Sequence, residues 1–369
     1  MRRTITRSLA QLFAIAMIFA ASSGGAALAA EDGGNGAVFT QTNAATGNAI
    51  LAFRRGPDGA LAAAGTYATG GAGSGVGLGS QGAVTLSANG QWLFAVDAGS
   101  NDIATFAVHG STLVLTDRIS SGGTNPISVT SSGDTVYVLN AGTPNVAGFK
   151  LAAAGTLVPI AGATRTLPGA GAAQVSFTSS GNALVVTMKA SSTITTLAVD
   201  SSGVAGAPQT FASSGSTPFG FGVGKKDEVI VTEAAGAPAG LSAASSYRVG
   251  SDGALTLVSA SVPTTQAAAC WGLVSKNGHF AYTANAASDS VSLYTIDTNG
   301  AIALSQAQAA YAAGSHPLDL ATSENGRFVY VLEAFTHSIG AYRVAADGSL
   351  MRLASSSNML MGAGGLAAR

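Results

Sequence analysis

The sequence has one cysteine, few charged residues and, beyond its N-terminal segment, no long apolar run. Because Cys270 is the only cysteine, an intramolecular disulfide is excluded. No cysteine directly follows the N-terminal segment, so we expect no lipoprotein anchor. Charged residues make up only 9% of the chain, which leaves few groups for surface fields or for catalysis. No later stretch is long and apolar enough to cross a bilayer, so we expect no membrane span.

Residues 1–29 have the pattern of a signal peptide. Arg2, Arg3 and Arg7 precede a largely apolar stretch, residues 9–20, which is too short to span a membrane. An A-x-A motif follows at residues 27–29, so we expect cleavage after Ala29 or Ala30. We predict an exported protein, periplasmic or extracellular, with one domain over residues 30–369.

The mature chain is weakly acidic and has no basic cluster. Removal of the three leader arginines would leave 14 basic residues against 18 acidic ones, a net charge of −4. Nucleic-acid binding depends on neutralising phosphates with Lys and Arg, so nucleic acid is a poor partner. We expect a monomer that holds a small molecule or a protein and, for want of any cofactor motif, no cofactor.

A unit of about 48 residues recurs seven times, and it determines the fold. In most units a strand-ending aromatic residue or Leu is followed five residues later by a turn that contains Gly. The pairs are Phe53 with Asp58-Gly59, Phe149 with Ala154-Gly155, Leu197 with Ser202-Gly203, Tyr247 with Asp252-Gly253, Tyr294 with Asn299-Gly300, and Tyr342 with Asp347-Gly348. Between these turns lie short β-branched and aromatic runs, which are typical of strands.

The repeat predicts an all-β, seven-bladed β-propeller with four antiparallel strands per blade. One four-stranded sheet cannot bury both of its faces, whereas seven sheets arranged around an axis can. The first unit has no inner strand before it, and residues 362–369 offer the missing strand. We therefore expect the N- and C-terminal strands to share one blade and close the ring.

One position in each unit, at the end of the second strand, is mostly polar. These residues are Asn43, Asp97, Asn140, Met188, Glu233, Asn285 and Glu333. In a propeller they lie on the face that carries the connections between blades, where Asn43, Asp97, Asn140, Glu233 and Asn285 could bind a ligand. Alternatively, Asn and Asp at these places bond their own turns. Glu233 and Glu333 fit that alternative least well.

The densest titratable cluster of the chain falls in the last unit. His316, Asp319, Glu333 and His337 belong to the same predicted face, and a histidine near carboxylates can act as a general base near neutral pH. These four are the candidate catalytic residues. Alternatively, His316 is an ordinary loop residue and His337 a solvated hairpin residue.

Other signatures of chemistry are missing from the sequence. There is no nucleophile elbow, no phosphate-binding loop and no spacing typical of a zinc or calcium site, so we expect no metal. Cys270 is interpreted as a small buried apolar residue rather than a nucleophile. The glycine-rich residues 70–82 are interpreted as a flexible connection between two blades.

Three segments resemble the recurring unit of the lactonase family of seven-bladed propellers, which includes bacterial 6-phosphogluconolactonases and fungal carboxymuconate cyclases. The segments are residues 86–97, residues 322–331, and Asn285 with residues 290–294. The resemblance covers residues 36–369 and implies the propeller fold. It also implies an Arg-His pair and an Asn-Glu pair in a mid-chain blade. Here Gly171-Ala172-Ala173-Gln174 and Met188-Lys189 stand at those places.

Three functions are compatible with these residues. The first is an exported ligand- or protein-binding module that has lost the family's lactonase residues. The second is a hydrolase of small sugar or carboxylic lactones that resembles 6-phosphogluconolactonase, with His316 or His337 as the base and Glu333 or Asp319 as its helper. The third is a structural protein of the cell envelope. The missing Arg favours the first, because alanine cannot replace a bidentate clamp for phosphate or carboxylate.

Overall fold

Seven antiparallel sheets form the blades of a β-propeller in a computed structural model of the chain, as the repeat predicts. The structure describes residues 36–357, 359 and 362–369, and the expected signal peptide, residues 1–29, lies outside them. Within each blade the strands are ordered from the inner strand, at the central channel, to the outer strand, at the circumference.

The first four blades contain β1–β16 and the last strand of the chain, β29. Blade 1 has β29 (Gly364–Ala368), β1 (Gly36–Gln41), β2 (Ala49–Arg55) and β3 (Leu61–Ala68). Blade 2 has β4 (Val84–Leu86), β5 (Trp92–Asp97), β6 (Asp102–His109) and β7 (Thr112–Ser120). Blade 3 has β8 (Pro126–Ser132), β9 (Thr135–Asn140), β10 (Asn145–Leu151) and an outer strand in two pieces, β11 (Leu157–Pro159) and β12 (Arg165–Thr166). Blade 4 has β13 (Ala172–Phe177), β14 (Ala183–Met188), β15 (Thr193–Ala198) and β16 (Gln209–Ala212).

The other three blades contain β17–β28 and one turn of 3₁₀ helix. Blade 5 has β17 (Pro218–Val223), β18 (Glu228–Glu233), β19 (Ala243–Val249) and β20 (Leu255–Pro263). Blade 6 has β21 (Ala269–Val274), β22 (Phe280–Asn285), the 3₁₀ turn Ala286–Ser288, β23 (Ser290–Ile296) and β24 (Ile302–Tyr311). Blade 7 has β25 (Pro317–Thr322), β26 (Phe328–Glu333), β27 (Ser338–Val344) and β28 (Leu350–Ser357).

Burial explains the composition of the strands. The second strand of a blade is packed on both faces, so β9, β14, β22 and β26 are buried at every position and rich in Val, Leu, Phe and Tyr. The outer strand β3 is exposed over most of its length and carries small residues instead. The apolar cores lie between neighbouring blades, which therefore stabilise one another.

The ring is closed by the last strand of the chain. β29 pairs antiparallel with β1, with Val38 opposite Ala368 and Phe39 opposite Ala367. Arg369 and Ala37 exchange two further backbone hydrogen bonds, of 2.9 and 3.2 Å. The predicted sharing of one blade by the two ends of the propeller is confirmed.

The recurring turn glycines hold neighbouring blades together. Tyr282 of β22 donates its hydroxyl hydrogen to the carbonyl of Gly348, in the outer turn of the next blade, at 2.7 Å. Tyr137 and Tyr330 make the same bond to Gly203 and Gly59. These bonds join residues of adjacent units, which explains why the turn recurs at a fixed distance from the strands.

Residues 77–82, named the crossing segment below, lie across the central channel. The Gln81 side chain donates to the Gly272 carbonyl at 2.7 Å and accepts from the Gly272 amide at 3.0 Å, both in β21. On the other side of the channel, Val129 of β8 donates to the Gly82 carbonyl at 2.8 Å. The interpretation of residues 70–82 as a flexible connection is wrong for this part, because bonds to inner strands fix it.

Candidate functional site

A cavity of about 540 Å³ opens on the face of the propeller that carries the connections between blades, named the upper face below. The crossing segment forms its floor, and blade 7 forms most of its wall. The lining residues are Gly77, Leu78, Gly79, Ser80, Trp271, His316, Leu318, Asp319, Leu332, Ala334, Phe335, His337 and residues 362–365. Three of the four sequence-predicted catalytic residues, His316, Asp319 and His337, therefore share one cavity.

His316 is placed by a loop device that three blades repeat. It precedes Pro317, has a φ of 47°, and donates its amide hydrogen to Asp289 Oδ1 at 2.9 Å. In the other blades, Asn125 before Pro126 and Thr217 before Pro218 also have positive φ and donate to a side chain of the preceding blade. The proline then starts the inner strand. The backbone conformation of His316 is thus shared with Asn125 and Thr217, and His316 differs from them in carrying an imidazole.

The two histidines are half-buried and present their rings to the cavity wall. His316 stacks on Phe335, with 4.1 Å between ring centroids and 6° between planes. Burial lowers the pKa of His316, although the Asp289 carboxylate opposes this shift. His337, with a φ of 51°, has a buried Nδ1 that finds no hydrogen-bond partner among the described residues. Both imidazoles line the cavity, and His316 can accept a proton or a hydrogen bond from a bound molecule.

Asp319 is the buried carboxyl group of the site. Its side chain accepts hydrogen bonds from the amides of Gly82, at 3.4 Å, and Leu320, at 3.0 Å. Burial nevertheless raises the pKa of Asp319 to about 7. A carboxyl group that titrates near neutral pH can donate or accept a proton under ordinary conditions, which is typical of functional sites.

Sequence reasoning missed Trp271 and the crossing segment. The indole of Trp271, in β21, lines the cavity and donates its Nε1 hydrogen to the Ser80 carbonyl at 2.9 Å. Two features of the sequence could have indicated them: a glycine-rich connection and a tryptophan on an inner strand. Glycines allow a close approach of the backbone to a neighbouring side chain. These features do not show where the segment crosses.

Glu333 lies outside the cavity. Its carboxylate accepts hydrogen bonds from Arg352 at 2.7 and 2.9 Å, from Ser338 at 2.9 Å and from Tyr342 at 3.2 Å. These partners occupy both carboxylate oxygens. We therefore leave Glu333 out of the proposed catalytic set.

The five sequence-predicted ligand-binding residues are buried and bonded locally. Asn43 donates to Ser74 and to the Val76 carbonyl, and Asp97 accepts from Asn48 and Thr69. Asn140, Glu233 and Asn285 likewise bond side chains or backbone of nearby hairpins and connections. None of the five lines the 540 Å³ cavity. Their bonds agree with the alternative role in turns, and ligand binding by these residues stays a prediction.

Lys189 and Cys270 lie beside the crossing segment. Lys189 donates to the Gly79 carbonyl, and its Nζ is 4.6 Å from the centre of the Phe219 ring. Burial lowers the pKa of Lys189 and raises the pKa of Cys270 to about 12. The thiol is therefore protonated at neutral pH and unreactive, as the interpretation of Cys270 requires.

Two further observations concern the described part of the chain. No three His, Cys, Asp or Glu side chains within residues 36–357, 359 and 362–369 come together as ligands for a metal ion. Over the same residues, no helix has the length and apolar character needed to cross a membrane.

Comparison with protein families identifies the class of the molecule. The model of the family "Lactonase, 7-bladed beta-propeller" matches residues 45–164 and 264–361. The chain belongs to this family. The matched ranges leave out residues 165–263, which include the mid-chain positions 171–174 and 188–189. A search of curated proteins gave no match.

Several solved structures share the fold at low sequence identity. A protein of Lactobacillus plantarum is 19% identical, with a TM-score of 0.73 over 91% of this chain and 99% of its own. A candidate 6-phosphogluconolactonase of Bacteroides uniformis is 16% identical, with a TM-score of 0.72 over 90% and 99%. The periplasmic gluconolactonase of Pseudomonas aeruginosa is 16% identical, with a TM-score of 0.67 over 90% and 98%. At these identities the similarity establishes the fold alone.

Proposed function

We propose that this protein is an exported propeller that binds an uncharged small molecule in the upper-face cavity. The observation that carries the proposal is the composition of the cavity wall. Its described residues include two histidines, one carboxyl group and aromatic rings, but no lysine and no arginine. A phosphate or carboxylate would find no lysine or arginine partner there, whereas a neutral lactone carries no charge that needs one.

A variant that fills the cavity tests this proposal. Gly77 lines the cavity, and a Cβ at this position would meet no atom within 4 Å, so the side chain of Gly77→Trp can start into the cavity. Its neighbour Val76 is exposed and does not line the cavity, so Val76→Trp is the matched control. Thermal unfolding is recorded with a panel of neutral lactones and their open-chain acids.

We expect a lactone to raise the melting temperature of the wild type and of Val76→Trp, but not of Gly77→Trp. Equal stabilisation of all three proteins would place the ligand elsewhere. No stabilisation by any panel member would remove the proposal.

Export is part of the same proposal and is supported by the signal-peptide pattern of residues 1–29. The expected mature N-terminus follows Ala29 or Ala30. N-terminal sequencing of protein recovered outside the cytoplasm tests this, and an intact Met1 in that fraction would contradict it.

Hydrolysis of a neutral lactone is a second candidate, and Asp319 favours it. The Asp319 carboxylate, or a neutral His316, would take a proton from water as the water oxygen attacks the lactone carbonyl. The ring C–O bond then breaks, and the released alkoxide takes up the proton to give the hydroxy acid. Family membership supports this candidate. The absence of an Arg-His pair at residues 171–174 and of an Asn-Glu pair at residues 188–189 instead supports binding without hydrolysis.

Turnover by matched variants separates binding from hydrolysis. We expect Asp319→Asn and His316→Ala to lower kcat at least about 100-fold, the usual contribution of a positioned base. His109→Ala, at the exposed end of β6, should have no effect. The wild-type rate should rise with pH through about 7, because the Asp319 base must lose its proton. Rates equal to those in buffer would remove hydrolysis and leave the binding proposal standing.

A further inference from the structure

The wall of the upper-face cavity has a polar part and an apolar part, defined here by the side chains that form them. Around the polar part lie His316, Asp319 and His337, all contributed by blade 7 and its connections. The apolar part is formed by Leu78, Leu318, Leu332, Ala334, Phe335 and Ala363. A ligand that matches this wall carries both a polar group and an apolar surface.

Trp271 adds to the apolar part despite its N–H group. The indole Nε1 is already bonded to the Ser80 carbonyl, so it is not available to a ligand. The Trp271 ring also packs against Phe219, with 5.1 Å between ring centroids, which fixes its orientation. The indole therefore contributes a rigid apolar surface to the cavity.

Phe335 continues the apolar surface to the mouth of the cavity. Its side chain lines the cavity but is 68% exposed, an unusual environment for a large aromatic residue. Stacking on His316 holds the ring in place. An apolar chain that leaves the cavity would lie against Phe335 and cover it.

The size of the cavity agrees with a ligand larger than a lactone ring. Cavities of about 300–1,000 Å³ bury ligands of drug size, and this one measures about 540 Å³. A bare five- or six-membered ring would leave the apolar part empty. Any hydroxyl group of a sugar lactone that meets the leucine and phenylalanine side chains would find no hydrogen bond there.

The charges around the cavity point the same way. Lys189 is the cation nearest to the floor that the described contacts identify, and its Nζ is bonded to the Gly79 carbonyl and the Phe219 ring. It lines a neighbouring cavity, on the other side of Leu78, and not this one. A phosphorylated ligand would therefore meet Asp319 without a compensating lysine.

We propose that the natural ligand is a neutral lactone with an apolar chain of several carbons, and not a sugar lactone or its phosphate. The lactone ring lies between the imidazoles of His316 and His337, and the chain runs past Leu318 and Phe335 to the mouth of the cavity. This inference rests on the proposed function, because it assigns a substrate class to the same cavity.

A series of γ-lactones that differ only in chain length, compared with one sugar lactone, tests the inference. Dissociation constants are measured by calorimetry for γ-valerolactone, γ-octalactone, γ-decalactone and glucono-δ-lactone. We expect affinity to rise about fourfold for each added methylene group that is buried. Glucono-δ-lactone should bind more weakly than the longer alkyl lactones.

Variants at the mouth of the cavity locate the chain. Phe335→Ala should remove most of the gain in affinity of γ-octalactone and γ-decalactone over γ-valerolactone, whereas Phe335→Leu should keep this gain. Tyr311→Ala is the matched control, because Tyr311 is an aromatic residue that is 56% exposed and does not line the cavity. It should change none of the dissociation constants.

The possible outcomes separate this inference from the proposed function. Affinity that does not depend on chain length, or tightest binding of glucono-δ-lactone, would overturn the inference while the binding proposal stands. Binding of none of the four lactones would overturn both. A chain-length dependence that survives in Phe335→Ala and is lost in Tyr311→Ala would overturn the assigned path of the chain.

Discussion

Among single residues, Asp319 connects the site to the stability of the molecule. Its carboxyl group accepts amide hydrogens from the crossing segment, at Gly82, and from its own strand, at Leu320. It also lines both the upper-face cavity and a second cavity of about 430 Å³ on the opposite face. Asp319 is nevertheless only 3% exposed, so its carboxyl group has little contact with bulk water.

Replacing Asp319 by Asn should change how stability depends on pH. Burial raises the pKa of Asp319 from 3.8 to about 7, so the folded state holds the proton more tightly than the unfolded state. The resulting stabilisation is complete below about pH 4 and is lost as the pH rises through about 7. We expect the free energy of unfolding of the wild type to fall by up to about 4 kcal/mol relative to that of Asp319→Asn over this pH range. Urea unfolding at several pH values measures this difference.

The exposed turn residue Asp252 provides the control for this experiment. Asp252→Asn should leave the pH dependence of the wild type unchanged. Parallel stability curves for the wild type and Asp319→Asn from pH 4 to 8 would contradict the role of burial at Asp319.

Sequence patterns predicted some of these residues better than others. His316 and Asp319 were predicted because they are titratable and close in the chain. The pairing of Glu333 with Arg352 was not predicted. Arg352 lies in the outer strand of the blade, and no local pattern shows which side chains of β26 and β28 meet. The apolar wall was missed because leucines of a cavity look like leucines of a core.

At the level of strands and turns, the outer turn of each blade is a contact between blades. Gly348 has a φ of 83°, and its carbonyl accepts the Tyr282 hydroxyl of blade 6. A Cβ at this position would come within 2.7 Å of the Phe280 ring. The glycine is therefore required twice, by its backbone conformation and by its close approach to the neighbouring blade.

Two glycine variants in equivalent turns separate these requirements. Gly110 has a φ of 66° in the corresponding turn of blade 2, and a Cβ there would meet no atom within 4 Å. Gly110→Ala should lower the free energy of unfolding by about 1–2 kcal/mol, from backbone strain alone. Gly348→Ala should cost about 1–3 kcal/mol more, because the ring must shift and a buried hydrogen bond is disturbed. Urea unfolding gives both values, and equal losses would exclude a role of the turn in blade contact.

The regular strands were predictable from sequence, and the crossing segment was not. Asp-Gly and Asn-Gly turns and β-branched runs act locally, so their spacing predicts hairpins directly. Residues 77–82 have no such pattern. Their position is determined by Gln81 bonding to β21 and Gly82 bonding to β8, which are contacts over long distances in the chain.

At the level of the whole molecule, the ring depends on β29. This strand is the inner strand of blade 1, and Leu366 and Ala367 are buried between blades. Without it, β1 would present unpaired backbone groups to the channel. The repeat predicted this closure because the first unit lacks an inner strand.

Deletion of residues 362–369 should severely destabilise the propeller. We expect the melting temperature to fall by more than about 10 °C, because a loss of several kcal/mol shifts a domain of this size by a few degrees per kcal/mol. A synthetic peptide of residues 362–369, added in excess, should recover part of the loss, while a scrambled peptide should not. A truncated protein that melts with the wild type would show that the closure contributes no stability.

The closure by β29 also has a consequence for the order of events during synthesis. The strand that completes the first blade is the last strand of the propeller to be translated. Until residues 364–368 have emerged, the earliest hairpin of the propeller lacks its neighbour on the channel side. The ring therefore cannot close until β29 has been translated, and the closing pairing must join the first and last strands of the propeller across the longest separation in its sequence.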